Sequence, residues 1–249
     1  MNEKMIGLIP AAGKGLRLGL PYPKELYPII HNNRYKPVSQ FVLENLTTAG
    51  IDNIVFVINE TKHQLIGYFG NGQRFGCHIS YVVQESNEYK NASSSPGLAD
   101  ALNSAYHLIR GKTVCFGMAD TIMTPKDVFC HVQKQSDMTE DVMLGLFPTC
   151  HPEKFGMVEL SDKRNVVQIV DKPRHTDLVY MWGFIIWRSK FTEHLNASIA
   201  QGISDFARIL NIGIQQGLNC RGIVIDGGSY LDLGTYDEIQ ELDRLHRAL

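Results

Sequence analysis

The sequence predicts an α/β fold in which βαβ units wind a parallel sheet in the first half and further strands widen it into a mixed sheet in the second. Three observations carry this. Through the first half, short apolar runs bounded by Gly, Pro and Asn alternate with longer amphipathic stretches. In the second half, strand-like runs follow one another with few helices between them. Hydrophobic residues make up 44% of the 249 positions and charged residues 20%, ordinary globular values. At about 150 residues per domain the length allows one large domain or two small ones, and a chain this long buries roughly 70% of its unfolded surface without disulfide or metal staples.

MIGLIP at 5–10 reads as a buried first strand. Residues 37–49 place Val38, Phe41, Val42 and Leu46 at helical spacing, with Pro37 suited to the first turn and Gly50 to the stop. Strands follow at 54–59, 78–83 and 113–118, the last after a helix over 97–110. The runs 142–147, 156–160, 166–170 and 181–187 read as strands, and Trp182 and Trp187 within the last are expected in the core. Helices return at 204–217 and 235–248, with a strand at 220–225 between them. The stretch 85–96, which includes the low-complexity patch Asn91–Ser95, is longer than the usual connection of about 4–6 residues and reads as a lid or as an exposed loop. No internal repeat is visible.

Lys and Arg number 24 against 26 Asp and Glu, a net charge of -2, so nothing in the overall charge favours nucleic acid or an anionic membrane. Any phosphate site must be local. The five cysteines, Cys77, Cys115, Cys130, Cys150 and Cys220, are odd in number, widely spaced and form no C-x-x-C pair, which argues for reduced thiols in a cytoplasm and against a structural zinc site. No run reaches about 18 apolar residues, and the N-terminal run is too short for a signal sequence, so a cytoplasmic protein is expected and Asn91-Ala-Ser93 carries no glycosylation meaning. The nine histidines lack metal spacing and no G-x-S-x-G elbow occurs, which counts against a zinc hydrolase and a serine hydrolase.

The strongest local signal is the first strand running into AAGKGLRLG and then PYPKELYPI. Gly13 and Gly15 let the backbone turn tightly and present N–H groups to a phosphate, while Lys14, Arg17 and Lys24 bring positive charge to the same place. An ordinary βα turn with solvated basic residues would look the same. Two known phosphate loops do not fit. A Walker loop needs Ser or Thr after Gly-Lys, where Gly15 stands. A dinucleotide fingerprint needs Gly at Leu18 and an acidic residue about 20 positions on, whereas the second strand ends at Asn59-Glu60.

The run Ala11-Ala-Gly13-Lys-Gly15-Leu-Arg17, with Pro23-Lys24-Glu25-Leu26, resembles the G-x-G-x-R…P-K signature of the sugar nucleotidylyltransferases. Six further patches follow in the family's order: Gln84, Gly97-Leu-Ala-Asp-Ala101, Ala119-Asp120, His151-Pro-Glu-Lys-Phe-Gly156, Asp171-Lys172-Pro173 and Tyr230-Leu-Asp232-Leu-Gly-Thr235. The likeness is strongest to glucose-1-phosphate thymidylyltransferases. It implies a Rossmann-like three-layer sandwich with a mixed central sheet, of the nucleotide-diphospho-sugar transferase type. It also implies one domain over 1–249, with a nucleotide-binding half over about 1–125 and a sugar-binding half over about 126–249. The implied reaction joins a nucleoside triphosphate, dTTP or UTP, to a sugar 1-phosphate such as glucose 1-phosphate, giving an NDP-sugar and pyrophosphate with Mg²⁺.

Such a displacement at phosphorus needs charge neutralised on the attacking, transferring and leaving groups and little covalent help, so cations should dominate. By resemblance, Arg17 and Lys24 hold the triphosphate, and Lys172 holds the sugar phosphate that attacks. Asp120 and Asp232 become the Mg²⁺ ligands; taken alone, each reads as a cap or turn residue, the more so for Asp232 because Thr235 can cap the last helix. Ala11, Ala12, Gly13 and Gly15 line the phosphate loop, and Gln84 and Gly97 meet the base. Thr121, Gly156, Asp171 and Gly183 fall at the sugar.

The sequence departs from the family at Ala12, where a second glycine is usual, at Leu16, where Thr is common, at Glu25, where thymidylyltransferases often carry Gln, and at Asp171, where Glu precedes the lysine. These leave the base and the sugar open, and with them a cytidylyl- or guanylyltransferase acting on another sugar phosphate. A non-catalytic nucleotide-binding homologue is the other alternative, against which stand both aspartates and all three cations. A nicotinamide oxidoreductase is disfavoured by Leu18 and Asn59. A homo-oligomer is compatible with all of this. The chain stops soon after Thr235, from which a minimal catalytic unit without a C-terminal inhibitory extension is expected.

Overall fold

The computed structural model describes residues 4–15, 18–31, 34–85, 96–136 and 139–240. Four parallel strands form the frame: β1 (Met5–Pro10) between β6 (Thr113–Gly117) and β4 (Asn53–Asn59), with β5 (His78–Gln84) beyond β4. The helix between β1 and β4 is α1 (Val38–Thr48), reached through a hairpin of β2 (Pro28–His31) and β3 (Arg34–Pro37). Between β4 and β5 comes α2 (His63–Phe69). The helix expected over 97–110 forms as two pieces, α3 (Leu98–Ser104) and α4 (Tyr106–Ile109), separated at Ala105.

After β6 the chain makes β7 (Thr121–Thr124) and α5 (Val128–Gln135), then widens the sheet with β8 (Val142–Pro148), β9 (Gly156–Leu160), β10 (Val166–Asp171) and β11 (Tyr180–Trp187). β11 runs antiparallel to β6 on one edge and to β8 on the other, and β9 meets its start at Met181. Two helices follow, α6 (Ser189–Ala200) and α7 (Phe206–Gln215), then β12 (Cys220–Val224) beside β8, and β13 (Ser229–Asp232) beside β7. The result is a mixed sheet with nine strands among the described residues.

Burial on both faces makes it a three-layer sandwich. Along β1 and the residue after it, Ile6 and Leu8 enter one core while Ile9 and Ala11 enter the other, the period of two a strand demands. The first core takes Leu102 of α3, Leu195 of α6 and Ile209 of α7; the second takes Val42 of α1, Leu65 of α2 and Phe129 of α5. Strands covered on both faces read as continuous apolar runs, which is why β1, β4, β6 and β8 were legible.

The hairpin β2–β3, α2, β7, α5, α6 and β13 were not read from sequence. α2 is short and carries no side-chain cap. The buried face of α6 is Phe191, Thr192, Leu195 and Ser198, half of it hydroxyl-bearing, so its periodicity is hidden. The expected last helix is helical at 236–240, and its remainder lies outside the described residues, as does most of the 85–96 stretch. The five cysteines are free thiols. No helix of the described residues is long and apolar enough to cross a membrane.

Candidate active site

Parallel strands aim their carboxyl ends at one edge of the sheet, and ligands in such folds bind there. Here β1 delivers Ala11–Gly15, β5 ends on Gln84, and β6 leads through Met118 to Asp120. The antiparallel extension adds the rest. In the β9–β10 register Gly156 stands opposite Asp171, and Lys172 follows at once. Asn211 of α7 locks this edge strand by accepting from Ile169 N and donating to Ile169 O, both at 2.8 Å.

Pairing of β7 with β13 brings the two aspartates together. Asp232 lies opposite Thr121, and Leu233 N donates to Asp120 O at 3.0 Å. Asp232 thus ends a strand rather than sitting in a plain turn. Thr235 and Glu238 supply the cap: Thr235 Oγ1 accepts from Glu238 N at 3.4 Å, and Glu238 Oε2 accepts from Gly234 N at 3.0 Å and Thr235 N at 2.9 Å.

Lys24 donates from Nζ to Asp120 Oδ2. Burial alone would lower the ammonium's pKa, but Asp120, with Glu25 and Asp232 behind it, more than offsets this and holds Lys24 above its ordinary value. Burial, and then Asp232 and Asp120, push the Tyr230 hydroxyl well above the usual phenol range, so it stays a neutral O–H beside the two carboxylates. The field here is acidic and already draws one cation.

These groups line a cavity of about 450 Å³, which Asp120, Thr121, Gly156, Asp171, Lys172 and Asp232 share with Lys24. Lys172 adopts a positive φ of 46°, costly for a residue with a Cβ, and its N–H donates to Phe155 O at 3.0 Å. The Thr121 hydroxyl is spent within the chain, donating to Met118 O at 3.1 Å. A second cavity of about 320 Å³ opens beside the first, lined by Ala11, Ala12, Gly13 and Gln84, and Lys24, Gly97 and Asp120 belong to both. Gly15, at φ +64°, borders a third hollow with Lys14 and Lys24.

One residue expected at the site is not brought to it, and another is not described. Arg17 lies outside the described residues. Gly183 does not line the cavity; a Cβ there would lie 2.6 Å from the Phe147 ring and 2.7 Å from Tyr230, so its smallness serves packing. Trp187 is core, as expected, and donates to Thr192 Oγ1 at 2.9 Å. Trp182 packs against the same core through Phe116 and Phe206 and also lines the larger cavity. Gly156 makes room for it, since a Cβ would sit 2.3 Å from the indole Nε1. Gly156 itself also lines the cavity, with the indole beside it.

Sequence reasoning also missed Lys154, which lines the cavity and whose pKa is raised by its hydrogen bond to Glu238 Oε1 at 3.0 Å, and Asp205, which caps α7 by accepting from Arg208 N at 2.7 Å. Lys154 stood inside the quoted run His151–Gly156, and its charge was the available signal.

A doubly covered mixed sheet with a glycine-bearing loop after its first strand is a Rossmann-like three-layer fold of the nucleotide-diphospho-sugar transferase type, and two neighbouring carboxylates among lysines lie at its ligand-binding edge. Residues 6–247 match the family described as nucleotidyl transferase. The chain belongs to that family, and it is a transferase of the EC 2.7.7 type. It is 27% identical over 248 residues to a glucose-1-phosphate thymidylyltransferase of Neisseria meningitidis, covering 95% of this chain and 81% of the relative. A second enzyme of that name, from Streptomyces griseus, is 27% identical over 258 residues, 97% of this chain and 66% of its own length. Among solved structures, a Bacillus anthracis protein classed as a glucose-1-phosphate thymidylyltransferase superposes with a TM-score of 0.82 at 24% identity, over 98% of this chain and 96% of that one. The UTP-bound UGPase of Acinetobacter baumannii superposes at 0.74 with 15% identity, over 97% and 92%.

Proposed function

We propose that this chain joins dTTP or UTP to a hexose 1-phosphate, glucose 1-phosphate by preference, releasing pyrophosphate, and that residues 1–249 act as one catalytic domain. The observation that carries the reading is the confluence of two cavities across Lys24 and Asp120. One is lined by the glycine-bearing loop and Gln84, the other by Lys172, Asp171 and Asp232. The names of the relatives supply the substrate class.

In this reading Ala11–Gly13 and Gln84 hold the nucleotide, with Gly15 and Arg17 toward its phosphates. Lys172 holds the sugar phosphate, and Asp171 accepts from a sugar hydroxyl. Trp182 offers its ring to the apolar face of the pyranose, a role that replaces the one expected of Gly183. A phosphate oxygen of the sugar phosphate forms a new bond to the α-phosphorus, the α–β anhydride bond breaks, and pyrophosphate carries away the electron pair. Lys24 lies between the two cavities, where negative charge accumulates during that exchange.

Asp120 and Asp232 fit a divalent cation. They are neighbours in register and jointly attract the Lys24 ammonium, and no group of three or more His, Cys, Asp or Glu that could hold a metal occurs among the described residues. Two carboxylates with phosphate oxygens and water completing the shell are the habit of Mg²⁺. When bound, Mg²⁺ supplies charge neutralisation at phosphoryl oxygens.

The test is pyrophosphate release across dTTP, UTP, CTP and GTP against several sugar 1-phosphates with Mg²⁺. Turnover is expected with dTTP or UTP, and Lys172→Ala should raise KM for the sugar phosphate by at least about tenfold. Turnover confined to CTP or GTP would correct the base, and binding without turnover on any pair would make the chain a non-catalytic homologue.

A further inference from the structure

Lys62 is a buried lysine that the reaction just described does not use. It follows the turn closing β4 and is 4% exposed. Its Nζ donates to Ala11 O at 2.6 Å and to Glu25 Oε1 at 2.6 Å. From the same turn Asn59 Nδ2 donates to Ala12 O at 2.8 Å, while its Oδ1 accepts from Thr61 N and Thr61 Oγ1. Two consecutive carbonyls of the loop after β1 are thus held by side chains from one neighbouring turn.

The consequence follows from peptide geometry. In a trans peptide the C=O of one residue and the N–H of the next point in opposite directions, and the bonds joining residues 11, 12 and 13 are trans. With Ala11 O fixed on Lys62, the Ala12 N–H is turned away from Lys62. With Ala12 O fixed on Asn59, the Gly13 N–H is turned away from Asn59. Ala12 and Gly13 both line the smaller cavity. Lys62 also holds Glu25, whose neighbour in the chain is Lys24. Glu25 is anchored a second time through Ser39 Oγ, which donates to Glu25 O at 2.7 Å, and its Oε2 is buried without a partner.

We propose that Lys62, assisted by Asn59, is a positioning residue for the nucleoside triphosphate: it sets the direction of the Ala12 and Gly13 amides and, through Glu25, the placement of Lys24. The proposal rests on the nucleotide reading of the smaller cavity. Burying a lysine costs free energy that surface location would avoid, and here both hydrogen bonds go to the loop and to the residue beside Lys24. A lysine after a strand ordinarily reads as a solvated surface residue, which is why sequence inspection passes over it.

Lys62→Met alone leaves Glu25 buried without its partner, so the decisive variant is Lys62→Met/Glu25→Gln, compared with Glu25→Gln, Lys62→Arg and Asn59→Ala. Calorimetric binding of dTTP and UTP is measured first, then KM for each substrate. The double variant should remain folded, bind the triphosphate about tenfold more weakly than Glu25→Gln, and change KM for the sugar phosphate by less than about twofold. Lys62→Arg should recover part of the affinity, and Asn59→Ala should lose several-fold. Equal triphosphate affinity in the double variant and Glu25→Gln, or a parallel rise in both KM values, would overturn the positioning role. If the double variant does not fold, Asn59→Ala decides by the same criterion. Wild-type chain that binds no triphosphate would overturn the functional reading, and the positioning role with it.

Discussion

The Lys24 ammonium rests on the Asp120 carboxylate, 96 residues away along the chain. This contact joins the loop that follows β1 to the segment that leaves β6, at the point shared by the two cavities. It is a partly buried pair, with the side chains 20% and 11% exposed, so the attraction is less screened than at a surface.

Asp120→Asn keeps the side chain's volume and removes the charge that holds Lys24 and that, in the proposed reading, would hold the cation. A fall of about 10²–10³ in kcat is expected, together with a higher Mg²⁺ concentration at half-maximal rate. Pyrophosphate release measured across a Mg²⁺ titration checks both. An unchanged metal dependence would remove Asp120 from the cation site.

The buried Glu25–Lys62 pair makes a prediction about pH. Burial raises the Glu25 pKa above its ordinary 4.5, the native chain holding that proton more tightly than the unfolded one, so stability falls as pH climbs from 4.5 to the native value. Burial lowers the Lys62 pKa below 10.5, so stability rises with pH between its native value and 10.5. Lys62→Met/Glu25→Gln should flatten both slopes, whereas Lys62→Met alone should cost about 3–5 kcal/mol by stranding a buried carboxylate. Urea unfolding at a series of pH values measures this, and a double variant whose profile overlies that of wild type would contradict it.

Gly156 and Gly183 lie on neighbouring strands and should respond differently to alanine. At Gly156 the new methyl would press on the Trp182 indole and drive it into the larger cavity. The expected outcome is a raised KM for the sugar phosphate with KM for the triphosphate little changed. At Gly183 the methyl would press on Phe147 and Tyr230, an overpacking cost of about 1–3 kcal/mol. Steady-state kinetics beside thermal unfolding separates the two, and a stability loss at Gly156 without a kinetic effect would argue against Trp182 as a sugar contact.

What could be read in the sequence was what depends on local spacing. β1, β4, β6 and β8 show as apolar runs because both of their faces are covered, and the loop after β1 shows because glycine and lysine are dense there. Pairings that depend on register were invisible. Asp232 becomes the neighbour of Asp120 only through the β7–β13 ladder, two strands of four residues each. Trp182 and Trp187 share one strand, and the bulge between Trp182 and Phe184 sets both rings against the same core, where each meets Phe116; only Trp182, nearer the site and beside Gly156, also lines the cavity. Lys62 and Glu25 each look like surface residues until the fold buries them against one another.

Glu238 ties the last helix to the site from three directions. Its two oxygens accept from Gly234 N, Thr235 N and Lys154 Nζ, and it is 8% exposed. Asp232 lies just before the capped turn, so the cap fixes where β13 ends and the direction in which the chain leaves it. Glu238→Ala removes a capping-box member and a charge-assisted bond, which should cost about 1–2 kcal/mol, or about 2–8 °C in Tm for a chain of this size. It also releases Lys154, whose pKa should fall toward its ordinary value, because the Glu238 hydrogen bond is the main cause of its rise. Glu238→Gln should keep most of the cap through its amide oxygen while losing the carboxylate charge that pairs with Lys154. Thermal unfolding of the two variants separates capping from charge pairing, and equal losses in both would assign the stabilisation to the Lys154 pair instead of the cap.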